Sequence, residues 1–226
     1  MEQLLETAEV ETGPSPETAV IWMHGLGADG HDFEPIVPQF AMNMPTRFVF
    51  PHAPVQPVTI NDGIAMRAWY DVLEIDVARR VDEAGVRRSH DAIHALIKRE
   101  NDRGIPTDRI ALAGFSQGGA MAIFAGLRHP ETLAGVIALS SYMVLGDTLA
   151  TERSDANRGT PILIGHGTHD PLVPLSLGEA ARDTIDALGY PTQWQTWPMQ
   201  HEVCVEEIEL VRTFLHDTLY GDSPNA

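Results

Sequence analysis

The stretch RIALAGFSQGGAMAIFAGLRH, Arg109–His129, decides the fold. Arg109–Ala113 is a short apolar run of strand type, while Gln117–His129 is rich in alanine and free of proline, as a helix requires. Between them, Gly114-Phe115-Ser116-Gln117-Gly118 matches G-x-S-x-G, with Gly119 directly behind. Glycines two positions either side of the serine let backbone segments close in, so the hydroxyl projects from a sharp strand-to-helix turn. With 19 glycines and 8 serines in 226 residues, about 0.05 copies of the bare pattern are expected by chance. The flanked match therefore marks Ser116 as a nucleophile rather than a structural glycine turn.

The same alternation extends in both directions. Thr18–Met23, Arg47–Phe50, Gly135–Leu139, Pro161–Ile164 and Gln193–Trp197 read as further strands, mostly apolar on both faces. Asp76–Asp102, Leu175–Leu188 and Val203–Tyr220 read as helices; in the first, Val81, Ile93, Leu96 and Ile97 recur at helical spacing. Strands alternating with helices predict a mainly parallel sheet with helices on both faces. No repeat or linker divides the chain, so residues 1–226 are expected to form one α/β domain, with 1–17 as an N-terminal segment and 221–226 as a tail.

In such sheets functional groups gather at the carboxyl ends of strands. A nucleophilic serine needs a base, and the base an orienting acid. On the α/β-hydrolase fold that a serine elbow implies, these follow in the order Ser, Asp or Glu, His. Asp170 lies in the loop after PILIGHG and His201 in the loop after QWQTW, so both obey the strand-end rule. Asp183, Asp186 and His216 fall within helices, and His129 ends one, where it suits a C-terminal cap. For the oxyanion hole, one donor is the backbone N–H of Gln117, directly after the nucleophile. The other is assigned to Leu26 N–H, in the loop His24-Gly25-Leu26-Gly27 after the strand AVIWM.

Other patterns carry less. His90 and His94 stand four apart on a helix, but with aspartate in place of the H-E-x-x-H glutamate and no obvious third ligand; no metal is expected. His166 and His169 flank Asp170 and are explained by its loop, while Cys204 reads as a small packed residue. G-x-x-x-x-G-K-[ST] does not occur, and the G-x-G-x-x-G spelled by Gly25–Gly30 is followed by a proline-containing stretch with no acidic residue about 20 positions on, so no nucleotide and no cofactor is expected. A net charge of −17, with Lys98 the only lysine, argues against nucleic acid and against anionic membrane surfaces. A GC-rich genome explains the lysine deficit at least as well as salt adaptation. The acidic N-terminus lacks a secretory signal pattern, no apolar run reaches membrane-spanning length, and the lone cysteine suits a reducing compartment; the expectation is cytoplasmic.

With these residues in hand, the chain resembles the bacterial carboxylesterase and acyl-protein thioesterase family, also called the phospholipase/carboxylesterase family. The resemblance rests on HGLGADGHDF (His24–Phe33), FPHAP (Phe50–Pro54), MRAWYD (Met66–Asp71), GFSQGGA (Gly114–Ala120) and HGTHDPLVP (His166–Pro174). It implies the triad Ser116, Asp170 and His201, the oxyanion donors Leu26 and Gln117, and a place for Trp69 near the acyl or alcohol pocket. Gln200 departs from the glycine or glutamate usual before the histidine. Apolar residues around Val72, Leu73 and Ile75 are candidates for an acyl groove, giving Trp69 and Leu73 as substrate-binding residues. The expected activity is hydrolysis of small carboxylic esters, short- to medium-chain, or thioesters, because 226 residues leave no space for a large lid domain. Lysophospholipids and S-acylated proteins are alternative substrates, a homodimer fits the resemblance, and a peptidase or a non-catalytic binding module is disfavoured.

Overall fold

The structure is a computed structural model that describes residues 4–74 and 82–221. In chain order it runs β1 (Thr7–Glu11), β2 (Thr18–Met23), β3 (Thr46–Pro51), β4 (Val55–Val58), β5 (Ile64–Arg67), α1 (Glu83–Asp102), β6 (Ile110–Phe115), α2 (Gln117–Gly126) and β7 (Gly135–Leu139). Then follow α3 (Gly146–Glu152), β8 (Ile162–Gly167), α4 (Leu175–Ala187), β9 (Thr192–Trp197) and α5 (Val205–Tyr220). A seven-stranded sheet has the order β1-β3-β2-β6-β7-β8-β9. β1 runs antiparallel to β3 and every other neighbouring pair is parallel. β4 and β5 form a separate antiparallel pair.

Side chains alternate across a strand, so a sheet covered on both faces needs apolar residues at consecutive positions. Ile21, Leu112, Val136 and Ile164 join Ile93 and Leu96 of α1 and Ala122 of α2 in one core. Their neighbours Val20, Trp22, Ala113, Ile137 and Leu163 join Val211, Phe214 and Leu215 of α5 on the opposite face. The expected mainly parallel sheet with helices on both faces is thus found.

The differences have physical reasons. β1 lies in the segment read as a bare N-terminus because TAEVE is polar at alternate positions. Ala8 and Val10 rest on the core, while Arg47 holds Glu11 at 2.9 Å. Charged side chains of this kind suit an edge strand. The β4–β5 pair was also not anticipated: each strand has four residues and β4 contains Pro57, so neither stretch is long or regular enough to read as a strand. α2 ends at Gly126, short of His129, and α5 starts at Val205 rather than Val203. α1 begins at Glu83; the expected helix from Asp76 to Val81 lies outside the described residues.

Candidate active site

Ser116 sits between β6 and α2 with φ 55° and ψ −119°, a conformation that a non-glycine residue adopts only when its surroundings enforce it. The surroundings here do so from both sides. Ser116 N–H donates to the Leu139 carbonyl at 2.8 Å, and its own carbonyl accepts from Ser141 Oγ at 2.7 Å and Ala120 N–H at 3.1 Å. A Cβ at Gly114 would collide with Gly118, and one at Gly118 would overlap the Met23 carbonyl at the end of β2. The glycines are therefore required by close approach, which lets α2 start directly behind the serine.

Asp170 follows β8 and His201 follows β9, the neighbouring strand. Their loops are zipped together: Thr168 N–H donates to the Trp197 carbonyl at 2.8 Å and His169 N–H to the Met199 carbonyl at 3.1 Å. Asp170 Oδ1 accepts the backbone N–H groups of Leu172 and Val173, both at 2.8 Å. That leaves Oδ2 for His201 Nδ1, 2.6 Å away. With Nδ1 donating to this carboxyl oxygen, the other ring nitrogen, Nε2, is left with the lone pair. The carboxyl is buried and the His201 side chain is 14% exposed, so the pair is shielded without being sealed. The His201 ring lies 4.7 Å from the ring of Phe115, the residue before Ser116. Gln200 is exposed.

The loop after β2 reaches the same corner. A Cβ on Gly25 would stand 3.5 Å from Ser116 Cβ. Among the described residues, neither Leu26 N–H nor Gln117 N–H donates to another group. Two backbone N–H groups on the segments that meet at this corner are thus left unpaired, the condition that a candidate oxyanion hole has to meet.

Trp69 is fully buried and lies behind this corner. Its Nε1–H donates to the His24 carbonyl at 2.9 Å, and its backbone N–H to Gln117 Oε1 at 2.8 Å. It braces the site rather than presenting an open face. Val72 is buried, Leu73 half-buried, and Ile75 lies outside the described residues.

Residues 5–219 match the model of the Phospholipase/Carboxylesterase family. The chain belongs to this family. It is 42% identical over 211 residues to Acyl-protein thioesterase 1 of Neurospora crassa, covering 88% of this chain and 86% of that one. It is 36% identical to Acyl-protein thioesterase 1 of Mycosarcoma maydis over 225 residues, 92% and 94% of the two chains. The crystal structure of Arabidopsis thaliana SOBER1 superposes with a TM-score of 0.84 at 32% identity, covering 89% of this chain and 99% of that one. These relatives are fungal and plant proteins, so the phospholipase/carboxylesterase resemblance read from the motifs holds without the bacterial qualifier.

Two histidines of the quoted motifs make contacts that the sequence did not reveal. His24 and His166 are both buried, and each uses a ring nitrogen on backbone next to the site: Nδ1 of His24 on the Gly25 carbonyl, Nε2 of His166 on the Val173 carbonyl. Burial holds both below the usual histidine range. Farther away, His90 and His94 meet His129, with ring centroids 4.0 and 4.5 Å apart along the row. His129 lies beyond the end of α2 and neither ring nitrogen has a partner among the described residues, so its side chain does not cap that helix. Among the described residues no group of three or more His, Cys, Asp or Glu side chains is placed to hold a metal ion.

Proposed function

We propose that this chain hydrolyses carboxylic esters or thioesters through an acyl-enzyme formed on Ser116. The observation that carries the reading is the Asp170–His201 pair, 2.6 Å apart, on loops beside a serine held in a strained strand-to-helix corner. Ser116 Oγ attacks the acyl carbon while His201 Nε2 takes its proton. The same proton then passes to the leaving alkoxide or thiolate. Asp170 Oδ2 holds the ring in the required tautomer and stabilises it when charged. Leu26 N–H and Gln117 N–H receive the developing oxyanion. Water, deprotonated by His201, releases the acid and restores Ser116.

Short- to medium-chain acyl groups are the proposed substrates, with the half-buried Leu73 as the candidate acyl-binding residue. A second reading, an S-acylated protein or lysophospholipid as substrate, is favoured by the relatives named acyl-protein thioesterase. Among the described residues no helix is long and apolar enough to cross a membrane. Cytoplasmic residence is proposed on the lone cysteine, which suits a reducing compartment.

The test is the initial hydrolysis rate on p-nitrophenyl esters of increasing chain length, with Ser116→Ala as control. Activity that peaks at short or medium chains and falls by several orders of magnitude in the variant supports the reading. A folded Ser116→Ala protein that keeps most of its activity refutes it.

A further inference from the structure

We infer that His24 is the positioning residue of the oxyanion hole: its neutral imidazole fixes the direction in which the Leu26 N–H points. This rests on the reading of Leu26 and Gln117 as oxyanion donors.

His24 follows β2 and is 2% exposed. Ala53 N–H donates to its Nε2 at 3.1 Å, so Nε2 carries the lone pair and the proton sits on Nδ1. Nδ1 in turn donates to the Gly25 carbonyl at 2.7 Å. The Gly25–Leu26 peptide is trans, and a trans peptide is planar with its C=O and N–H pointing in opposite directions. Pinning the Gly25 oxygen therefore aims the Leu26 N–H. Ala28 N–H donates to the same oxygen at 3.2 Å, closing a turn whose third residue, Gly27, has φ +79°. That is the value a type II turn demands at this position, which glycine meets without strain. Gly27 N–H is tied to the Arg67 carbonyl at 2.9 Å, so the turn is held at both ends.

The second donor belongs to the same frame. Trp69 Nε1–H holds the His24 carbonyl at 2.9 Å, and Gln117 clamps the next segment, with Oε1 accepting from Trp69 N–H and Nε2 donating to the Tyr70 carbonyl, both at 2.8 Å. The loop bearing Leu26 and the helix start bearing Gln117 are thus locked through His24 and Trp69. A proton on Nε2 would break the contact with Ala53. Burial opposes that proton and keeps the ring neutral.

Two substitutions separate the two bonds of the ring. His24→Asn sets an amide nitrogen where Nδ1 stands and keeps the donor to Gly25. His24→Gln reaches toward Ala53 N–H and gives up the Gly25 bond. Both are assayed for kcat and KM on p-nitrophenyl butyrate, and for inhibition by phenylboronic acid, whose tetrahedral adduct places a charged oxygen in the hole, and by butyrate. His24→Gln is expected to lower kcat about 10- to 100-fold with KM within about twofold, and to weaken phenylboronic acid but not butyrate. His24→Asn recovers most of the loss. Unchanged kcat in a folded His24→Gln protein, or equal losses in both variants with a raised KM, overturns the inference. If His24→Gln does not fold, Trp69→Phe deletes one N–H of the frame; kcat falling about three- to tenfold at constant KM supports the inference, and unchanged kcat overturns it. Ser116→Ala is run alongside. An active Ser116→Ala overturns the underlying site reading, whereas an inactive one with an unaffected His24→Gln overturns the role of His24 alone.

Discussion

Glu207 offers a measurable test of how burial is balanced in this fold. It stands in the first turn of α5, fully buried, and neither carboxyl oxygen has a hydrogen-bond partner among the described residues. The carboxyl lies against Gly165 of β8, where any Cβ would strike Oε1. Burial alone pushes its pKa from the ordinary carboxylate value of 4.5 to about 8. The N-terminus of α5 pulls the other way, but a helix end stabilises a carboxylate by only about 0.3–1 kcal/mol, against roughly 5 kcal/mol for the shift.

The unfolded chain releases this proton near pH 4.5 and the folded chain near pH 8. Between those values folding takes up a proton, so stability is full below about 4.5 and is lost as pH rises through about 8. From pH 5 to pH 8 the loss comes to about 3–4 kcal/mol. Glu207→Gln removes it. The unpartnered amide has its own cost, about 1–3 kcal/mol, but that cost does not change with pH. The stability difference between variant and wild type therefore moves in favour of the variant by about 3–4 kcal/mol from pH 5 to pH 8. In thermal unfolding followed by circular dichroism this corresponds to roughly 10 °C of relative Tm. A difference that stays flat across that range would show Glu207 to be ionised or partnered in the folded protein, and the reasoning would be wrong.

Three further outcomes are expected. Asp170→Asn keeps an acceptor for the Leu172 and Val173 N–H groups but turns an amide N–H toward His201, forcing the wrong tautomer; kcat should fall about 10³- to 10⁴-fold with folding intact, and a loss under tenfold in steady-state assays argues against the triad. His94 is held at a pKa of about 3 by burial and then by its neighbours His90 and His129. Its stabilising neutrality is complete above the unfolded value of 6.5 and is lost as pH falls toward 3, so wild type should lose about 2 kcal/mol more than His94→Leu between pH 7 and pH 5 in urea unfolding; parallel curves would contradict this. Gly118→Ala drives a Cβ into the Met23 carbonyl and should cost about 1–3 kcal/mol of stability together with most of the activity, whereas a fully active variant would mean the corner is less tightly packed than described.

What could be read from the residues divides along a physical line. The expected strand Thr18–Met23 was recovered unchanged, and Gly135–Leu139 likewise, because residues buried on both faces leave continuous apolar runs. β1 was hidden because an edge strand with one solvated face is polar at every other position. Asp170 and His201 were legible for a topological reason: each lies just past a strand, and β8 and β9 are neighbours in the sheet.

The hidden part of the site is the part that depends on folding to bring distant segments together. His24 reads as one letter of a glycine-rich loop, and Trp69 as an aromatic suited to a pocket wall. Their meaning appears only when Ala53 N–H meets the His24 ring, and when Trp69, 45 residues along, meets the His24 carbonyl. Motifs record groups that chemistry needs at fixed local spacing. The backbone donors of an oxyanion hole have no side chain to record, so what holds them must be sought in buried polar groups whose partners are main-chain atoms. By that criterion His24 is the stronger candidate and His94 the weaker, since the first has both ring nitrogens engaged on backbone, one of them at Gly25 next to Ser116. The second is packed among imidazoles, with Nε2 unpartnered among the described residues, and its neutrality bears on stability rather than on catalysis.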